Sequence, residues 1–242
     1  MSQPPSTVGA TVLARRTGPI RAVVFDLDGV VVDSSAVMRE AFSVAYAEVV
    51  GGGPAPFEEY NKHMGRYFPD IMRLMGLPLE MEAPFVRESY RLAHRVPLFP
   101  GVRETLEALH ERGVRMAVAT GKSGPRARSL LDLLGVLALF DHVIGSDEVP
   151  RPKPAPDIVL RALELLDMPP GVAMMVGDAI TDLTSGREAG VTTVATTWHG
   201  GDVTALLAAG PDLVAHKPEE LLTHCAARDP YQLGEMAGSE RG

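Results

Sequence analysis

Six short apolar runs constrain this chain more than any other feature: AVVFDL (22–27), VRMAVAT (114–120), HVIGS (142–146), AMMVGD (173–178), VTTVAT (191–196) and DLVAH (212–216). Their hydrophobicity is continuous instead of alternating, which suits strands covered on both faces, as in a parallel sheet. Between them lie patterns of helical period. GVRETLEALHERG ends on Gly113, RARSLLDLLG on Gly135 and DLTSGREAG on Gly190, each with glycine where a left-handed helix terminus belongs. Strand and helix alternating from about residue 99 onward predict an α/β fold, a doubly wound parallel sheet with right-handed crossovers.

Residues 34–98 break that rhythm. Only helix-like segments occur there, at about 35–50, 57–75 and 84–96, which is more chain than a crossover needs. They read as a small inserted helical domain, with the turn GGGPAP (51–56) inside it and VPLFPG (96–101) marking the return to the sheet. The expected organisation is a flexible tail over 1–19, a core formed by 20–33 and 99–227, the insert 34–98, and a flexible tail over 228–242. EELLTHCAAR (219–228) reads as a closing helix.

Composition narrows the partners. With 242 residues, 45% of them hydrophobic, the chain can bury a full core. A formal net charge of −8 offers no broad attraction for nucleic acid or an anionic membrane surface. Cys225, the single cysteine, reads as a bystander thiol, since it cannot form an internal disulfide and no His/Cys spacing suggests zinc. No stretch reaches the roughly 18 apolar residues of a membrane span, and residues 1–19 hold no continuous apolar run. A small-molecule partner, a cytoplasmic location and a monomeric or homodimeric state are expected.

In a doubly wound sheet, ligands bind beyond the carboxyl ends of the strands, so the polar residues there carry the functional information. The first run, in VVFDLDGVVVDSS (23–35), delivers Asp26 and Asp28; the second delivers Thr120 and Gly121; MMVGDAITD (174–182) delivers Asp178 and Asp182. RPKPAPD (151–157) places Lys153 in a loop stiffened by prolines. Each alone has a bland reading: a solvated strand end for the paired aspartates, a helix cap for Thr120, Asp178 and Asp182, an exposed loop amine for Lys153. Together they make one chemistry. Clustered carboxylates favour a hard cation such as Mg²⁺, while a hydroxyl, an amide and an amine suit phosphate oxygens. An ionised Asp26 can attack phosphorus, and Asp28 can protonate the leaving oxygen and later deprotonate water.

The ordered motifs DLDG (26–29), ATGK (119–122), RPKPAPD (151–157) and VGDAITD (176–182) resemble the haloacid dehalogenase superfamily, and the insert after the first motif resembles its C1 cap. The likeness covers roughly residues 20–225, with motif separations of 94 (120 minus 26), 33 (153 minus 120) and 25 (178 minus 153). It implies a Rossmann-like core in which Asp26 is the nucleophile and Asp28 the general acid/base. Mg²⁺ would be held by the Asp26 carboxylate, the Asp28 carbonyl and Asp178, with Asp182 in the outer shell or orienting a ligand. Thr120, Gly121 and Lys153 would bind the phosphoryl group.

Within that family, carbon–halogen hydrolases do not need the second aspartate, so Asp28 favours phosphoryl transfer. Mutases of the β-phosphoglucomutase type usually carry a histidine five residues after the position of Asp33, where this chain has Met38. Hydrolysis of a small phosphate ester, as in phosphoglycolate phosphatase-like and CbbY-like relatives, is therefore the expected activity, with a phosphomutase as the enzymatic alternative. A phosphorylatable receiver-like regulator is the non-enzymatic one, although receivers lack a helical lid. NKHMGRYFPD (61–70) resembles the loop that such caps present to substrate, which makes Arg66 the first candidate for specificity and His63 and Tyr67 the next. The wording of the cap also resembles phosphatases associated with aminohydroxybenzoate formation.

Overall fold

The computed structural model describes residues 18–200 and 203–226. The strands are β1 (Ala22–Phe25), β2 (Arg115–Thr120), β3 (His142–Gly145), β4 (Ala173–Gly177), β5 (Thr192–Thr196) and β6 (Leu213–Ala215). They form one parallel sheet in the order β3-β2-β1-β4-β5-β6. The α-helices are α1 (Ser35–Val49), α2 (Phe57–Asn61), α3 (Phe68–Met75), α4 (Glu82–Arg91), α5 (Val102–Glu111), α6 (Gly124–Leu133), α7 (Asp157–Leu166), α8 (Ile180–Glu188) and α9 (Thr204–Ala208). This is the doubly wound α/β architecture expected from the continuous apolar runs.

Successive residues of each strand serve opposite faces, which is why the runs cannot alternate with polar residues. Val23, Phe25, Val118 and Val176 pack against Leu106 and Leu109 of α5 and Leu130 of α6. Ala22, Val24, Ala117 and Met175 pack against Ile158, Ala162 and Leu166 of α7. At about 25 cal/mol per Å² of apolar surface removed from water, these two layers supply the main drive for the sheet to form. The register places Phe25 beside both Val118 and Val176, so that the residues leaving β1, β2 and β4 emerge together at one edge.

Residues 34–98 are helical, as expected, and α1 to α4 gather a cluster of their own around Phe42, Tyr60, Phe68, Met72 and Phe85. The rings of Phe42 and Tyr60 stack at 4.5 Å and those of Phe68 and Phe85 at 4.1 Å. The expected helix over 57–75 is in fact two helices separated by residues 62–67. Gly65 at φ +86° breaks the first helix, and Pro69 in the first turn of α3 suits a fresh start. Similarly, the segment expected at 84–96 is α4 followed by a 3₁₀ turn at Ala93–Arg95, ahead of Pro97. The expected closing helix is a 3₁₀ helix at Pro218–Thr223, and the remainder of that segment beyond residue 226 lies outside the described residues. The two expected tails also lie outside them, apart from residues 18 and 19. Cys225 is buried in the core. Among the described residues no helix is long and apolar enough to cross a membrane.

Candidate active site

Asp26 follows the last residue of β1 and is buried, its amide donating to the Val176 carbonyl at 2.9 Å. The next strands bring their own polar ends beside it: Thr120 closes β2, Asp178 follows β4, and Asp182 sits in the first turn of α8. Carboxylate oxygens of Asp26, Asp178 and Asp182 lie within 4.8 Å of one another. Gly29, at φ +84°, makes that approach possible, because a Cβ there would overlap the Asp178 carboxylate.

Lys153 reaches this cluster from the loop before α7. Its buried amine donates to Asp26 Oδ1 at 2.7 Å, to Asp182 Oδ1 at 2.6 Å and to the Ala119 carbonyl at 3.1 Å. Asp182 is further fixed by the Ala179 amide, which donates to its second oxygen at 3.0 Å. Burial pushes the Asp26 carboxyl up to about 7, assisted by the charges of Asp182 and Asp28 and opposed by Lys153. Burial also drives Asp178 well above the usual carboxylate range, and the charges of Asp26 and Asp182 add to it. For Lys153, burial acts to lower the amine, but the two carboxylates outweigh it and hold it above its ordinary value. Three acids thus share one ammonium, an arrangement short of positive charge.

Asp28 has a separate set of partners. Its Oδ1 accepts from the Ser34 hydroxyl and lies 3.2 Å from the Lys122 amine. Burial raises its carboxyl, yet Lys122, Ser34 and the charge of Arg126 together overcome that and keep it below the ordinary value. Burial likewise lowers Lys122, against the pull of Asp28. The loop carrying Asp28 is anchored by the Trp198 indole, which donates to the Val30 carbonyl at 3.0 Å.

A cleft opens between this edge of the sheet and the helical insert. Its sheet side is formed by Asp26, Asp28, Thr120, Gly121, Lys122 and Arg126. Its opposite wall is largely apolar, built from Met38, Tyr60, Met64, Phe68 and Phe85, with Arg66 beside them. The insert touches the sheet edge closely: a Cβ on Gly121 would stand 2.6 Å from the Arg66 carbonyl and 2.7 Å from that of Gly65. Thr120 Oγ1 accepts from the Lys122 amide at 3.2 Å, which shapes this turn.

The structure therefore brings Asp26, Asp28, Thr120, Gly121, Lys153, Asp178 and Asp182 to one edge, and Arg66 to the facing wall. His63 and Tyr67, the other two specificity candidates, do not line the cleft. His63 instead lies 3.5 Å from Glu59 on the insert's own surface. Sequence reasoning missed Lys122, Arg126 and Ser34. Lys122 was in plain view as the last residue of ATGK, and Arg126 follows it at a spacing of four that usually marks a solvated helix face.

Residues 20–190 match the family model of the haloacid dehalogenase-like hydrolases. This chain belongs to that family. It is 32% identical over 221 residues to the probable phosphatase IndB of Dickeya dadantii, covering 83% of this chain and 91% of the relative. It is 30% identical over 217 residues to a phosphoglycolate phosphatase of Pseudomonas fluorescens, with 85% and 79% covered. Among solved structures, a haloacid dehalogenase-like family protein of Streptococcus pneumoniae superimposes with a TM-score of 0.72 at 28% identity, over 84% of this chain and 97% of that one. The chain is accordingly a phosphatase of the haloacid dehalogenase-like family, with phosphoglycolate phosphatases among its relatives.

Proposed function

We propose that this phosphatase hydrolyses a small, soluble phosphate monoester through a phosphoryl group carried on Asp26, with Mg²⁺ as its cofactor. The observation that supports this most is the setting of Asp26: buried at the end of β1, gripped by Lys153, beside Asp178 and Asp182, and lining the cleft. The donor set fits a hard divalent cation, since it is all oxygen and short of positive charge. Asp26, Asp178 and the main-chain carbonyl of Asp28 would hold the ion, with Asp182 fixed behind them by Lys153. When bound, Mg²⁺ cancels the mutual repulsion of the carboxylates and stabilises charge on phosphoryl oxygens.

The chain's own residues account for the remaining steps. Asp26 attacks phosphorus, the bond to the leaving oxygen breaks, and that oxygen takes a proton from Asp28. Asp28 then takes a proton from a water whose oxygen attacks the same phosphorus, which frees the Asp26 carboxylate and releases inorganic phosphate. Lys122 and Ser34 keep Asp28 ionised at rest, which suits the second step. A phosphate dianion entering the cleft competes for Lys122 and adds negative charge beside Asp28, and both effects raise its proton affinity for the first step. The Thr120 hydroxyl, the Gly121 amide and the Lys153 ammonium would steady the phosphoryl oxygens.

Residues 20–33 and 99–227 would then be the catalytic core and 34–98 its cap, excluding bulk water and offering Arg66 to the substrate. Met38 argues against the mutase alternative. It lines the cleft with its sulfur 3.9 Å from the Lys122 amine, and a thioether carries no proton to shuttle between two sugar oxygens. A receiver-like role is disfavoured by the roofed cleft, which a long-lived signalling phosphoryl group does not require. The test is a panel of phosphomonoesters assayed with Mg²⁺ for the wild type and Asp26→Asn. Turnover is expected only in the wild type, and undiminished turnover in the variant removes the mechanism.

A further inference from the structure

Arg126, in the first turn of α6, is a buried cation that the reaction above does not use. Its residue is only 7% exposed, and its guanidinium lies over the Phe85 ring at 5.1 Å. Nη2 donates to Ser89 Oγ at 2.9 Å, and the Ser89 hydroxyl in turn donates to the Phe85 carbonyl at 2.7 Å, so the group is aimed as well as buried. Among the described residues, no carboxylate lies within ion-pair distance of it. Asp28 bears most strongly on it among the charged groups, but that carboxylate is already engaged by Lys122 and Ser34.

A guanidinium presents five N–H donors in a rigid fork, and Ser89 occupies one of them. A buried charge with no carboxylate in direct ion-pair contact is retained at a cost to stability, unlike the doubly paired Lys153. The unused donors belong to a side chain that lines the same cleft as Asp26. Met38, Tyr60, Phe68 and Phe85 line that cleft as well and offer a ligand's body apolar surface, with the Tyr60 hydroxyl the one polar atom among these four side chains.

We propose that the substrate is a phosphate ester whose leaving group joins an apolar body to a second anionic group, and that Arg126 receives that group. This rests on the phosphatase reading of the Asp26 end. A carboxylate and a second phosphate share the chemistry a guanidinium fork recognises, namely two anionic oxygens in one plane. The apolar wall distinguishes this class from the smallest two-carbon phosphoesters, which place nothing against it.

Calorimetric titration of the full chain with Mg²⁺ and non-hydrolysable phosphonates tests the proposal. The ligands are benzylphosphonate, its 3- and 4-carboxy forms, and xylylene bisphosphonates as the second-phosphate arm. In the wild type, at least one added anion should tighten Kd by about tenfold or more, the effect of a charge-assisted hydrogen-bonded pair. The carboxylate and phosphonate arms show which anion the fork prefers. Arg126→Met should bind the plain and the anionic ligands alike, and Arg126→Lys should recover part of the preference. Equal affinities for all ligands in the wild type overturn the proposal without any variant. A preference that survives in Arg126→Met also overturns it, and Arg126→Gln, which can still bond Ser89, gives the same reading should the methionine variant not fold. Hydrolysis of phenyl phosphate by the wild type reports on the Asp26 end alone. Turnover of phenyl phosphate together with equal phosphonate affinities therefore defeats the Arg126 proposal and leaves the phosphatase mechanism standing.

Discussion

Lys153 and Arg126 are both buried cations at the same sheet edge, and the protein treats them in opposite ways. Lys153 has two carboxylates and a carbonyl within 3.1 Å, so its charge is already paired before any ligand arrives. Arg126 has one hydroxyl and one aromatic face. The difference separates two kinds of work within one cleft. At the Lys153 end, charges are arranged so that Asp26 is held in place before any ligand arrives. At the Arg126 end, the balance is left incomplete and a ligand can complete it.

Removing Lys153 should break the comparison hardest. Lys153→Met leaves Asp26 and Asp182 buried without their shared ammonium, and breaking a buried pair in this way costs about 3–5 kcal/mol. Urea unfolding in the presence of EDTA measures that loss, and a loss under about 1 kcal/mol would mean the clamp is not structural. Next in size is the contact between the insert and the sheet edge. Gly121→Ala drives a Cβ into the carbonyls of Gly65 and Arg66, and displacing that wall by a fraction of an ångström should lower kcat/KM by roughly 10- to 100-fold. Steady-state kinetics, with the fold checked by circular dichroism, gives the answer.

A smaller effect links the acidic cluster to pH. The Asp26 carboxyl is raised from 3.8 to about 7, so without a divalent ion its contribution to stability is fully present below about pH 4 and is lost as pH rises through 7. Bound Mg²⁺ should offset that loss. The increase in Tm on adding Mg²⁺ is therefore expected to grow between about pH 5 and pH 8, reaching a few °C at roughly 2–4 °C per kcal/mol. An increment that is constant across this range contradicts the assignment. At the bottom of the scale stands His63→Ala. His63 lies on Glu59 and outside the cleft, so its loss should leave kcat/KM within about twofold and stability within about 0.5 kcal/mol.

The same contrast explains what could be read from the sequence. The strands were legible because a parallel strand covered on both faces must be apolar at nearly every position. The Asp26, Thr120 and Asp178 positions followed from the rule that such strands present their carboxyl ends to ligand. Lys153 was found through its prolines, although its partners Asp182 and Ala119 became evident only in three dimensions. Arg126 was not legible as a site residue. Two cations four residues apart at a helix start look like a solvated face, and only the packing of Phe85 and Ser89 against α6 covers Arg126. The segment 62–67 failed for a related reason. An irregular loop has no period, so the turn at Gly65 sends Arg66 into the cleft while His63 and Tyr67 stay outside it, and neighbours in sequence part company in space.

Whether Asp26 carries the phosphoryl group is read by quenching the working enzyme in acid during turnover of a phosphomonoester with Mg²⁺ and mapping the phosphorylated peptide by mass spectrometry. The expected product is an acyl phosphate on Asp26 that is labile to base and is lost in Asp26→Asn. A phosphoryl group on any other residue, or full activity in that variant with no acyl phosphate formed, would contradict the Asp26 mechanism.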